Sequence, residues 1–313
     1  MDITIYQLLD DPGLGHCSRI IRFINRGNSQ KRTSIILVPK IKQLLNYLKV
    51  YHIENIFEYD VSIKPIELIE LVNNKFKFEK IKEWVIDSKK DCSKLLLILK
   101  KEKVPSTLID NNTESRLLAS KNIYPTPLFK KNELNWAGYM GTIESGWDAL
   151  NKFIQISHNK KKRKKNYNQI LISFGGEDPN ELTLQTMELL SELKSRIKII
   201  LVIGPLFKHK EKIKELNAVM GHRFIMIENC YDLTDLIFNS DCLVTAIGAT
   251  VFEALLLDTT TVVISNYPDE RVDERKLNKF KNVKALGFYE KLNNGNNILL
   301  DAVKTCVKNE HMI

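Results

Sequence analysis

Gly13, Gly15 and His16 lie close together near the start of the chain, between an apolar run typical of a strand (residues 3–8) and a segment with helical spacing. The glycines let the backbone turn tightly and leave room for a ligand against it. The N–H groups and the dipole at the start of the following helix attract an anion. A histidine at this position can take up or release a proton near neutral pH. The turn therefore predicts an anion site with an acid–base group.

A second glycine pair, Gly175 and Gly176, directly follows the apolar run 170–174, which is typical of a buried strand. These glycines would let backbone N–H groups approach a diphosphate. Glu177 counts against this interpretation, because a carboxylate beside a diphosphate is repulsive unless it points away. The pair therefore indicates either a diphosphate site or a plain connection between a strand and a helix.

The residues after this pair carry signals for the start of a helix. Asp178 suits the N-cap, Pro179 the first helical position, and Glu181 the reciprocal acid of a capping box. We therefore expect the helix to begin at Pro179.

A third turn follows the strand pattern at 241–245 and opens a helix at about Ala249. Thr250 and the N–H groups around Gly248 suit a phosphate. Glu253, one turn into the helix, either accepts two hydrogen bonds from ribose hydroxyls or merely complements the positive end of the helix dipole. The sequence leaves both interpretations of Glu253 open.

Strand and helix patterns alternate through most of the chain, which is typical of parallel α/β sheets. The predicted strands lie at 3–8, 35–38, 55–59, 83–87, 105–109, 170–174, 198–203, 223–228, 241–245 and 260–264. The region 120–150 is less regular and rich in turn residues. Because ligands bind at the carboxyl ends of strands in such sheets, all three glycine turns are placed to contact one.

The two series of elements predict an α/β chain of two doubly wound, Rossmann-like domains that face each other across a cleft. The predicted domains are 1–157 and 168–313, joined by the basic linker 158–167. The last helical pattern, about 297–308, either stays with the second domain or packs back onto the first.

The positive charge of the chain is concentrated in one run. The net charge is +9, but residues 160–165 carry six positive charges, and the rest of the chain has a net charge of +3. Such a block is more often a solvated linker than a binding site, and no aromatic residues are interleaved with it as in a nucleic-acid site. We therefore expect no nucleic-acid partner, and at most a weak attraction of residues 160–165 to anionic lipid headgroups.

The remaining composition predicts a cytoplasmic globular protein. No run of about 18 apolar residues indicates a membrane-spanning helix, and the N-terminus lacks the pattern of an export signal. The five cysteines are odd in number, widely spaced and without a C-x-x-C pair, which argues against disulfides and a zinc site. No D-x-D pair occurs, so nothing predicts a divalent metal ion, and no cofactor is expected.

The three turns together resemble a known family. The pattern G-x-G-H-x-x-R at 13–19 is similar to the entry motif of the UDP-sugar hydrolase of pseudaminic acid biosynthesis and of spore-coat polysaccharide biosynthesis proteins, which are described as predicted glycosyltransferases. Residues 170–180 resemble that family's S-F-G-G-x-D-P-N turn, and residues 124–147 resemble the spore-coat branch. The third turn is similar to the nucleotide-binding end of the wider superfamily, so the resemblance covers nearly the whole chain.

This resemblance implies a GT-B architecture, in which the C-terminal domain holds the nucleotide. In the hydrolase, the histidine of the first turn activates the water that attacks the anomeric carbon with inversion, and residue by residue that role falls on His16. The glycines of the first turn and the residues of the later turns would bind the nucleotide and its diphosphate, namely Gly13, Gly15, Gly175, Gly176, Gly248, Thr250 and Glu253.

Asp87 ends the fourth predicted strand and is the second candidate catalytic residue. It either orients His16 or a sugar hydroxyl, or it caps the next helix, and Asp110 is in the same situation after the fifth strand. A surface position on the first helix is the simpler explanation of Arg19. The hydrolase has a tyrosine shortly after the aspartate, whereas this chain has Lys89, so the acceptor is in doubt.

The predicted function is therefore cleavage of the anomeric C–O bond of a nucleotide-activated sugar, UDP-linked by resemblance, in surface glycan or polysaccharide biosynthesis. With water as the acceptor the protein is a hydrolase, which the entry motif slightly favours. With a sugar or a lipid-linked sugar as the acceptor it is a glycosyltransferase. A third alternative is a non-catalytic partner that binds a nucleotide sugar. Helix dipoles and backbone donors would neutralise the leaving group without a metal ion.

Overall fold

The chain divides into two compact units, Met1–Gln155 and Ile156–Ile313. The computed structural model describes residues 2–8, 14–27, 33–50, 55–77, 80–154, 168–193, 196–228, 230, 232–290 and 297–307. The predicted linker 158–167, with its basic run, and Gly13 of the first turn lie outside these residues. Each unit has its own parallel sheet and its own apolar core.

The described residues of the first unit form seven strands and five α-helices. Its strands are β1 Asp2–Leu8, β2 Thr33–Pro39, β3 Ile56–Tyr59, β4 Lys80–Asp87, β5 Ser106–Ile109, β6 Lys121–Tyr124 and β7 Thr142–Ser145. Its helices are α1 Leu14–Gly27, α2 Lys42–Val50, α3 Pro65–Lys75, α4 Ser93–Lys101 and α5 Gly146–Leu150. The five strands predicted for this half are confirmed within about three residues at their ends.

The first sheet has the strand order β3-β2-β1-β4-β5-β6-β7, and every neighbouring pair is parallel. The chain builds outward from β1 in one direction and then, from β4, in the other. The order therefore reverses between β1 and β4, and the loops that leave these strands diverge to open a crevice at their carboxyl ends. Leu8 is in register with Asp87, so both strands end at the same level.

The region 120–150, predicted to be irregular, contributes β6 and β7 to the edge of this sheet, which corrects the prediction. Each of these strands has four residues, and β7 is half-exposed or exposed along its length. Such short strands have neither an apolar run nor a clear alternation, so no sequence pattern predicts them.

The described residues of the second unit form six strands and six α-helices. Its strands are β8 Gln169–Ser173, β9 Lys198–Ile203, β10 Phe224–Glu228, β11 Cys242–Ala246, β12 Thr260–Ser265 and β13 Val283–Phe288. Its helices are α6 Leu182–Leu190, α7 Lys210–Val219, α8 Thr234–Phe238, α9 Ala249–Leu256, α10 Arg271–Leu277 and α11 Ile298–Cys306. The five predicted strands are confirmed, and β13 was not predicted.

The second sheet has the order β10-β9-β8-β11-β12-β13, again with parallel neighbours. Its order reverses between β8 and β11, the two strands that precede the second and third turns. The buried face of α11, which includes Leu299, Leu300 and Val303, belongs to the core of this unit. None of the helices in the described ranges has the length and hydrophobicity needed to cross a bilayer.

The helix after the second turn begins at Leu182, one turn later than predicted. Asp178 still binds its first N–H groups, because each carboxylate oxygen accepts one hydrogen bond, from Leu182 N and Thr183 N, over 2.9 Å. Glu181 occupies the N-cap in a left-handed conformation (φ 51°). The predicted helix start at Pro179 and the predicted capping box are therefore wrong. Asp178 nevertheless caps the helix, as predicted, by accepting from its first N–H groups.

Candidate active site

Helix α1 carries two polar side chains to the carboxyl edge of the first sheet. Ile20, Ile21 and Ile24 are buried on its apolar face. His16 and Arg19, spaced i and i+3, lie next to each other on the helix. Because α1 follows β1, this pair lies at the point where the strand order reverses.

Asp87 is the last residue of β4, and its side chain is fully buried. His16 Nδ1 lies 2.5 Å from Asp87 Oδ1. Arg19 donates to both carboxylate oxygens, from Nε to Oδ2 over 2.7 Å and from a terminal nitrogen to Oδ1 over 2.5 Å. The other terminal nitrogen donates to Asp110 Oδ2 over 3.2 Å. Of the two roles expected for Asp87, contact with His16 is the one observed.

The charge of Asp87 is set by its partners. Burial by itself would raise the pKa of this carboxyl group, but the positive charge of Arg19 and the hydrogen bonds from His16 and Arg19 outweigh burial and lower the pKa below its ordinary value. For Arg19, burial opposes the charged form, yet Asp87 and Asp110 raise its pKa. The pair is therefore ionised across the physiological pH range.

The ionised carboxylate determines which nitrogen of His16 carries the proton. Asp87 Oδ1 can only accept, so the short contact to His16 Nδ1 requires a proton on that nitrogen. Arg19 also lies 3.1 Å from Nδ1, but both groups are donors in this state, so that contact is not a hydrogen bond. With Nδ1 protonated, the lone pair of the neutral ring lies on Nε2. A histidine held in this way by a carboxylate is the usual arrangement of a general base.

Cys17, next to His16, does not act as a nucleophile in this arrangement. Burial, and then the negative charge of Asp87, raise the pKa of its thiol to about 12. The thiolate, which is the reactive form, is therefore absent at neutral pH.

Asp110 follows β5, the neighbour of β4, and it has a left-handed backbone conformation (φ 56°). Such a conformation is strained for a residue with a side chain and is sustained only by surrounding contacts. Its side chain is one-quarter exposed. From the sequence, Asp110 had no preferred role and Arg19 was expected at a surface position. The structure places both residues in the cluster with His16 and Asp87.

In the second unit, the two later turns lie at the carboxyl ends of the neighbouring strands β8 and β11. Gly175 has a positive φ of 81°, which glycine adopts without strain. A Cβ atom added to Gly15, Gly175 or Gly248 would meet no atom within 4 Å. The space beside these glycines is what close approach of a ligand to the backbone requires.

Helix α9 begins at Ala249, as the sequence predicted, with Gly248 at its N-cap. Thr250 is half-buried, whereas Glu253 is only 4% exposed. The burial of Glu253 is compatible with a structural role as well as with a contact to a ribose, so both interpretations remain.

The turn at Gly175 and Gly176 packs tightly against the loop after β9. A Cβ atom on Gly204 would lie 2.5 Å from the carbonyl oxygens of both glycines, and Leu206 N donates to Gly176 O over 2.9 Å. Asp178 is also fixed from this side, since His209 Nε2 lies 3.3 Å from its Oδ2. The glycine at 204 was not singled out from the sequence.

We expect Gly204→Ala to displace the turn at Gly175 and to lower the free energy of unfolding by about 1–3 kcal/mol, because the neighbouring atoms are backbone and cannot rotate away. Gly248→Ala, whose new methyl group enters open space, is the matched stability control and should lower it by only about 0.5 kcal/mol, because alanine is a poorer N-cap of α9 than glycine. Thermal unfolding of both variants checks this. Equal stability of the two would contradict the tight packing at Gly204.

Among the residues that the structure describes, no three His, Cys, Asp or Glu side chains are grouped so that they could hold a metal ion.

The chain was compared with known families, sequences and structures. A scan against protein-family models found no match. A segment of 111 residues, 35% of this chain, is 32% identical to the uncharacterized protein MJ1062 of Methanocaldococcus jannaschii and covers only 22% of that protein.

Solved structures match over the whole chain. MurG of Acinetobacter baumannii is 13% identical, with a TM-score of 0.62 over 99% of this chain and 91% of that one. The UDP-GlcNAc 2-epimerase of Neisseria meningitidis bound to UDP-GlcNAc is 14% identical, with a TM-score of 0.60 over 97% and 91%. The S. aureus MnaA–UDP structure is 14% identical, with a TM-score of 0.59 over 98% and 88%.

The chain has the GT-B fold. The predicted fold class, α/β with two Rossmann-like units, is thereby confirmed. Identities of 13–14% establish no more than the fold. The finer resemblance to the hydrolase of pseudaminic acid biosynthesis and to spore-coat proteins is not shown by these comparisons and stays a prediction.

Proposed function

We propose that this protein is an enzyme that acts on a nucleotide-activated sugar, UDP-linked, in glycan or polysaccharide biosynthesis. The observation that carries the proposal is the contact between His16 Nδ1 and Asp87 Oδ1 at the switch point of the first sheet. Two structures with the same fold contain UDP or UDP-GlcNAc, which supports a nucleotide sugar as the substrate.

In the proposed reaction, His16 Nε2 removes a proton from the acceptor hydroxyl as the acceptor oxygen attacks the anomeric carbon. The bond between that carbon and the diphosphate oxygen breaks, and UDP leaves. Asp87 stabilises the imidazolium that forms, because its carboxylate accepts from Nδ1. Arg19 keeps Asp87 ionised before the proton arrives. Arg19 and Asp87 together thus orient the ring of His16 for this proton transfer.

The second unit binds the nucleotide in this proposal. Backbone N–H groups near Gly175, Gly176, Gly248 and Thr250 neutralise the diphosphate, with the dipole of α9 adding a partial positive charge. Glu253 accepts from the ribose hydroxyls. The open space beside Gly175 and Gly248 supports this assignment.

The acceptor distinguishes two forms of the proposal. Water as the acceptor makes the protein a hydrolase, as the motif of the first turn favours. Lys89, at the position where the hydrolase has a tyrosine, weakens the argument for water and keeps a sugar or lipid-linked acceptor as the alternative.

Incubation with a panel of UDP-sugars, followed by NMR of the anomeric protons, tests the proposal. Free sugar and UDP without any added acceptor indicate hydrolysis. Turnover that begins only when an acceptor glycan is added indicates transfer. If no member of the panel is consumed under either condition, while UDP still binds, the protein is a non-catalytic binding partner and the proposed activity is wrong.

A further inference from the structure

Asn111 is a buried residue, 1% exposed, that directly follows Asp110. Both N–H donors of its side-chain amide are hydrogen-bonded, and its oxygen accepts two hydrogen bonds. Nδ2 donates to Ser88 O over 2.7 Å and to Lys90 O over 2.8 Å. Oδ1 accepts from the backbone N and from the hydroxyl of Thr113, over 3.0 and 2.6 Å. No part of the sequence analysis singled out this residue.

The amide hydrogen bonds and one further bond to the backbone join two loops and the end of a third strand at the carboxyl edge of the first sheet. Ser88 and Lys90 lie in the loop after β4, directly beyond Asp87. Asn111 itself lies in the loop after β5. The hydroxyl of Tyr124, the last residue of β6, donates to Asn111 O over 2.6 Å. The side chain of Asn111 therefore links the loops beside Asp87 and Asp110, and its backbone carbonyl links them to β6.

We propose that Asn111 is a positioning residue that fixes Asp87 relative to Asp110 and thereby holds His16 with its proton on Nδ1. Arg19 spans the two carboxylates, so a change in their separation pulls the guanidinium away from Asp87. The orientation of His16 depends on the same carboxylate. Asn111 thus acts on His16 through Asp87, without touching substrate.

Loss of the amide would leave Ser88 O without its buried donor, and would leave Lys90 O with the weaker donor Cys92 Sγ, 3.3 Å away. A buried carbonyl seldom stays unpaired, so the loop would shift until water or another donor reached Ser88 O. The strained left-handed conformation of Asp110 would also lose its neighbour's anchoring contacts.

A purely structural role would lower stability without changing His16, and Thr113→Ala is the matched control for it. This variant removes one hydrogen bond to Asn111 Oδ1 and one from Ser115 N to the Thr113 hydroxyl, over 3.3 Å. It leaves the donors to Ser88 and Lys90 in place. Asn111→Ala removes those donors, and Asn111→Ser is a milder variant should the alanine protein not fold.

The readout is the pair of ring-nitrogen signals of His16 in ¹H–¹⁵N correlation spectra at about pH 8, where neutral imidazole tautomers are distinguished. The signals are assigned by their absence in His16→Gln. We expect wild type and Thr113→Ala to show a protonated Nδ1 and an unprotonated Nε2. Asn111→Ala and Asn111→Ser should show signals shifted towards a mixture of the two tautomers.

Wild-type ring signals in both Asn111 variants, or the same change in Thr113→Ala, would overturn this role. The effect on turnover rests on the proposed function: Asn111→Ala should lower kcat about tenfold or more with KM unchanged, because the base is misplaced while substrate binding is intact. If the wild type consumes no UDP-sugar, the proposed function fails, whereas the tautomer test stands by itself.

Discussion

His16→Gln should lower the turnover of the UDP-sugar substrate by about 10²–10⁴-fold, the usual contribution of a positioned general base. Glutamine has a similar size and can still donate to Asp87, so the cluster with Arg19 stays ionised and paired. It has no basic nitrogen at the position of Nε2. We therefore expect kcat to fall while the affinity for UDP, measured by calorimetry, changes less than about twofold.

His222→Asn is the matched control for this experiment. His222 is exposed, belongs to the other unit and has a left-handed conformation that asparagine tolerates. The turnover of the His222→Asn protein should equal that of the wild type. A His16→Gln protein that is folded, binds UDP and turns over at the wild-type rate would show that another group is the base.

Arg19→Met should lower the free energy of unfolding at neutral pH by about 3 kcal/mol, at the lower end of the range for breaking a buried ion pair. Methionine keeps the length of the aliphatic chain but leaves the fully buried Asp87 without its bidentate partner. The side chain of Arg19 is 19% exposed and His16 remains a partner of Asp87, which limits the loss. The cooperative unfolding of the first unit in urea measures it.

The free energy of unfolding lost in Arg19→Met should increase as the pH rises. In the wild type the pKa of Asp87 lies below its unfolded value of about 3.9, so the ion pair stabilises the fold above that pH and is lost only as the pH falls through the folded pKa. In Arg19→Met, burial is no longer opposed by Arg19 and raises the pKa of Asp87. The variant is then stabilised at low pH and loses stability as the pH rises. The difference between the two proteins should therefore grow from about pH 4 to pH 7.

Lys64→Met provides the control for a surface pair. Lys64 lies 3.9 Å from Glu67, and both side chains are more than half exposed. Exposed pairs of this kind contribute about 0–1 kcal/mol, so this variant should unfold nearly as the wild type does at every pH. A similar loss in Lys64→Met and Arg19→Met would contradict the special role assigned to the buried pair.

Several strands inside the two sheets were predictable because they contain continuous apolar runs, such as 35–38 and 199–203. The edge strand β7 and its neighbour β6 were not, because each has only four residues and is stabilised by its pairing partners rather than by its own pattern. The start of α6 was predicted one turn too early. Asp178 reaches the helical N–H groups across an intervening turn, whereas the capping rules assume an adjacent cap.

His16 was found from the sequence because it follows the glycines of the first turn, and Asp87 because it ends the fourth predicted strand. Arg19 carried a usable signal, since its spacing of three from His16 puts both on one side of a helix. Asn111 carried no signal that a single sequence reveals. Its role depends on the carboxyl ends of β4, β5 and β6, which only the sheet order places side by side.

The assignment of a nucleotide-activated sugar as the substrate underlies the other proposed roles. Calorimetric titration with UDP tests this assignment most directly, because it requires no knowledge of the acceptor. We expect one UDP bound per chain, with weaker or no binding of CMP and GDP. The absence of any heat of binding for UDP and for the UDP-sugars, with a protein that unfolds cooperatively, would contradict the account.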